Sequence, residues 1–85
     1  MAVFVVIPDA PEPMAGRISE RIKEGDRLKL QGGPWLVSFD GTSRALSELL
    51  GMDGENIAAG AVFGIGSFWG RQTKDVWEWL EAKHK

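Results

Sequence analysis

The sequence predicts an α+β fold, one small domain whose strands and helices follow the order βαββαβ, with a further helix at the C-terminal end. Three observations carry this expectation. Two short segments, 2–7 and 35–39, are apolar at nearly every position, as strands covered on both faces are. Each is followed by a stretch with apolar residues at helical spacing. The 85 residues leave room for a single core.

Taken in order, Ala2 to Ile7 is rich in β-branched residues and apolar on both alternating sets, which places it at the centre of a sheet. Pro8, Pro11 and Pro13 punctuate a loop, and Met14, Ile18 and Ile22 then recur as one face of a helix that Gly25 is expected to stop. Asp26 to Gln31 alternates, Leu28 and Leu30 against Arg27, Lys29 and Gln31, the pattern of a half-wet edge strand. Gly32 and Gly33 suit a tight hairpin. Trp35 to Phe39 returns as a second central strand with Trp35, Val37 and Phe39 on one face.

Thr42 or Ser43 is placed to cap the next helix, whose stripe is Leu46, Leu49 and Leu50 and whose stop is Gly51. Beyond a loop through Asp53, Gly54 and Asn56, Ala59 to Gly66 reads as the fourth strand, with small residues that invite close packing. From Thr73 onward, Val76, Trp77 and Leu80 oppose a charged face and form a third helix. The order is the split ferredoxin-like arrangement, with antiparallel sheet order 4-1-3-2. We divide the single domain, 1–85, into a core, 1–66, and a C-terminal helical extension, 67–85. Two helices cover one sheet face only, so either the extension or a second copy of the chain must cover the other.

Composition narrows the function classes. A net charge of −2 and a pI near 5.3 oppose a surface built wholly to trap phosphate backbones, while leaving room for a local basic strip. The absence of cysteine excludes disulfides, thiolate metal sites and a cysteine nucleophile. The apolar opening is too short to span a bilayer and lacks a basic leader, so a cytoplasmic location without membrane attachment is the expectation.

Four stretches carry a family resemblance: Val3 to Ile7 followed by an acidic residue; Trp35, Leu36 and Val37 followed by Ser38 to Thr42; the Leu46 to Leu50 helix; and Phe68, Trp69, Gly70 with Trp79, Leu80. Together they resemble the small bacterial proteins labelled SinR family, distinct from the sporulation repressor of similar name, and more distantly the ferredoxin-like subunit of CRISPR adaptation complexes. The resemblance implies a dimer. In adaptation-type members it also implies metal-dependent nuclease activity through an aspartate at the end of the first strand. Here the pattern departs: Pro8 stands where that acidic residue would be expected, and Asp9 lies one step on.

Candidate site residues follow, each with a plainer alternative. The two central strands are expected to run in the same direction, so that Asp9 and Asp40 leave the sheet at one end and hold a magnesium ion able to activate water; the plainer alternative is that each is a turn residue. No other cofactor is expected. Gly60, Gly64, Gly66 and Gly70 lack the order of a phosphate loop and read as packing positions. Trp35, Trp69, Trp77 and Trp79, with Arg71 and Lys74 nearby, are the residue types that stack on bases and meet phosphates in single-strand binders, yet at this spacing they suit a core or a protein interface. His84 sits in a segment expected to fray, a poor place for a general base.

The reading that best fits the surplus of apolar surface is a non-enzymatic interaction module, a homodimer or a binder of another protein, with Phe4, Val6, Leu36, Val62, Trp69, Trp77 and Leu80 at the interface. The alternatives are a magnesium-dependent nuclease or nucleic-acid binder and a regulatory domain holding a small metabolite between dimer halves, as similar folds of the ACT type do.

Overall fold

The computed structural model describes residues 2–52, 60–66 and 74–83. Four strands form one antiparallel sheet: β1 (Ala2–Pro8), β2 (Arg27–Lys29), β3 (Trp35–Phe39) and β4 (Gly60–Gly64), in the order β2-β3-β1-β4. The helices among the described residues are α1 (Met14–Arg21), α2 (Ser43–Leu49) and α3 (Lys74–Lys83), with a 3-10 turn at Glu24–Asp26. The order β1α1β2β3α2β4α3 is thus the expected alternation extended by one helix. β1 and β3 occupy the centre, as their two-sided apolar sequences require.

Register settles which residue faces which layer. β1 pairs antiparallel with β3, Phe4 opposite Val37 and Val5 opposite Leu36, and with β4, Val5 opposite Phe63 and Val6 opposite Val62. On one face Phe4, Val6, Trp35 and Val37 pack with Met14, Ile18 and Ile22 from the α1 segment and Leu46 and Leu50 from the α2 segment. On the other face Val3 and Leu36 are buried with Val76 and Leu80 of α3. The C-terminal helix therefore folds back over the second face. Trp79 Nε1 donates to Gly25 O (3.2 Å), and Lys83 Nζ pairs with Asp26 Oδ1 (3.1 Å), tying α3 to the 3-10 turn.

Helix ends are closed by specific groups. The Thr42 hydroxyl accepts from Ala45 N–H (3.0 Å) and caps α2. Gly51, at φ 76°, stops the helix in the left-handed conformation that glycine adopts without steric cost. The carbonyls freed there are taken by arginines from α1: Arg17 Nη1 donates to Leu50 O (3.2 Å) and Gly51 O (3.0 Å), and Arg21 Nη1 to Leu49 O (2.7 Å). Cations are favoured at a helix C-terminus, so these contacts join the helices electrostatically as well as by packing.

Boundaries differ from expectation in α1, β2 and β4, the last ending at Gly64 rather than Gly66, with Ala59 outside the described residues. α1 ends at Arg21 rather than running to Gly25, because Ile22 N–H bonds back to Ile18 O while Ile22 itself is already extended. β2 keeps only Arg27–Lys29 of the expected 26–31. Close packing of β4 does appear, at Gly60: a Cβ there would lie 2.8 Å from Ile7 O and 3.0 Å from Pro8 Cα, backbone atoms that cannot yield. Gly60→Ala is therefore expected to cost about 1–3 kcal/mol by overpacking, read as a lowered urea midpoint.

Candidate functional site

The antiparallel pairing of β1 with β3 corrects the expectation that the central strands run in the same direction. Phe39 stands opposite Ala2, and Trp35 opposite Val6. Asp40 therefore leaves the sheet beside the start of β1, whereas Asp9 follows its end, roughly 26 Å away at about 3.3 Å per residue. Both are exposed. They do not converge on one ion, and among the described residues no group of three or more acidic or histidine side chains is placed to hold a metal.

The basic residues are likewise dispersed or engaged. Arg17 and Arg21 close the end of α2, and Arg27 Nη1 donates to Ser19 O (3.3 Å) and to Ile22 O. Lys29 lies over the Trp35 ring, 6.0 Å from its centroid. Lys74 is exposed on the first turn of α3 and pairs with Glu78 (3.6 Å). Trp69, Arg71, Gly70 and His84 lie outside the described residues.

The expected interface residues divide between the two faces. Phe4 and Val6 are buried beneath α1 and α2, and Val62 is half-buried on that same side. Leu36 and Leu80 belong to the second face and are buried against each other's layer, with Trp77 half-buried beside them. Strand alternation is the reason: Val5, and not Phe4, lies opposite Leu36, so choosing Phe4 and Leu36 together mixed the two sides. Side chains already filling the monomer's own cores are not available to a partner without unpacking.

What remains open lies at the β4 end of the second face. Ile7 is 45% and Phe63 54% exposed, and alternation places both on the α3 side of the sheet, around Ala61. α3 covers Val3 and Leu36 but not this strip. The adjoining strand β4, Gly-Ala-Val-Phe-Gly, is an edge of the sheet and carries no charge. The opposite edge, β2, is shorter and bears Arg27 and Lys29, a usual protection against unwanted pairing. Exposure of Phe63 was not legible from alternation, which assigns a face but not what covers it.

Two surface depressions lie among the described residues. An open groove of about 510 Å³ runs past Pro11, Lys29, Gln31, Gly33 and Trp35. A smaller one, of about 300 Å³, lies by Arg21, Asp26, Ser38 and Asp40. Neither gathers the convergent buried polar groups that fix a small ligand. No helix among the described residues is long and apolar enough to cross a membrane. Compared with family models, curated proteins and solved structures, the chain matches none. The resemblance to the SinR-labelled proteins rests on its short sequence motifs alone.

Proposed function

We propose that this chain is a non-enzymatic interaction module, a ferredoxin-like cytoplasmic domain that works as a homodimer. The observation that carries the reading is the exposed pair Ile7 and Phe63 beside an uncharged sheet edge. A large apolar side chain left more than half open on a sheet face is stabilised by a partner that removes it from water. The separation of Asp9 from Asp40 takes away the geometric support for a nuclease centred on that pair.

The test is size-exclusion chromatography with light scattering. The wild-type chain is expected at a mass near twice 9.3 kDa, and Phe63→Lys is expected to weaken association at least about tenfold, since it replaces apolar contact with a charge that must be desolvated. A wild-type mass that stays at 9.3 kDa at high protein concentration rejects the homodimer.

A further inference from the structure

Resting on that reading, we infer that the second copy docks strand to strand, β4 against β4 in antiparallel register about a two-fold axis at Val62. The ladder supplies the first reason. Ile65 N–H donates to Val3 O (2.9 Å), which sets the phase of the β1–β4 pairing: Ala61, Phe63 and Ile65 turn their main-chain groups toward β1. Gly60, Val62 and Gly64 turn theirs outward, where the described residues offer them no strand.

An antiparallel copy centred on Val62 meets these groups in phase. Val62 faces Val62 of the copy, and Gly60 faces Gly64, each pair exchanging both N–H···O bonds. Between them, Ala61 and Phe63 of the copy form the closely spaced pair whose side chains touch. The fit is of large on small: each Phe63 lies over the methyl of an Ala61, with Ile7 directly beyond it on β1. Ile7 and Phe63 are thus both covered by one contact.

Charge decides between the two sheet edges. β4 places no charged side chain against its own copy, whereas antiparallel pairing of β2 would bring Arg27 and Lys29 into like-charge contact. The result is a continuous sheet through the dimer, with the two α3 helices on one side and the α1–α2 layers on the other. A contact of one five-residue strand and its flanking side chains belongs at the small end of interface sizes, below roughly 1,200 Å² in total, so dissociation in the micromolar range is expected.

The experiment combines sedimentation equilibrium between roughly 10 and 500 µM, bracketing that affinity, with cysteine cross-linking in a chain that has no cysteine of its own. Val62→Pro removes an outward N–H and spares the β1–β4 ladder, a position proline tolerates at an edge. It is expected to weaken the dimer at least about tenfold while circular dichroism stays unchanged. Independently of how that variant folds, Val62→Cys is expected to cross-link on mild oxidation. Phe63→Cys is not, because residues two apart across the axis stand about 7–8 Å from each other, beyond the reach of a disulfide. A dimer lost on Phe63→Lys but not cross-linked by Val62→Cys overturns the strand pairing and leaves the apolar strip as the interface. A monomer across the whole range overturns both.

Discussion

Leu46→Ala is expected to lower stability by about 2–5 kcal/mol, because Leu46 is wholly buried on α2 among Phe4, Ile18, Val37 and Leu50 and a truncated side chain there leaves a cavity as well as losing its transfer free energy. A domain of 85 residues holds about 4–13 kcal/mol in total. The lower half of that range brings the variant to the edge of unfolding at 25 °C. The expected signature in urea is a lowered midpoint with an unchanged slope, since the fold loses contacts but no layer. A change below about 1 kcal/mol would contradict the packing of α2 on the sheet.

Leu80→Asp is expected to do comparable thermodynamic damage by a different route. Leu80 is buried with Val76, Val3 and Leu36, and an aspartate there must either desolvate its charge or drive α3 off the sheet. Detachment is the smaller cost, because it needs only the contacts of one helix to break. The expected loss is again about 3–5 kcal/mol. Here it comes with a reduced urea slope and with dye binding to the uncovered Val3 and Leu36. A Leu80→Asp variant with wild-type slope and no dye binding would mean that α3 does not seal that face.

Both substitutions probe features that the pattern of residues announces to different degrees. The central strands, the Gly32–Gly33 hairpin with φ of 91° and 109°, the Thr42 cap and the Gly51 stop are local, and local chemistry is read well from adjacent residues. The direction of β3 relative to β1 follows from element order: a helical crossover returns the chain in the same direction and a hairpin reverses it, so one of each makes the neighbours antiparallel. Reading the two strands as running in the same direction overlooks that count, and with it the separation of Asp9 from Asp40. Which layer covers the second face was open from sequence, because Trp77 and Leu80 suit a sheet or a second copy equally. The contacts of Trp79 with Gly25 and of Lys83 with Asp26 join residues more than fifty positions apart, beyond the reach of any periodicity.

The placement of β1 also has a cost during synthesis. Its two neighbours in the sheet, β3 and β4, are both made later. At roughly 5–20 residues per second, the stretch from Pro8 to Gly64 takes about 3–11 seconds to emerge. Throughout that interval the run Val3 to Ile7, apolar and β-branched on both sides, has no complete sheet to enter. A chain of this order is therefore expected to accumulate insoluble material first on overexpression at high temperature.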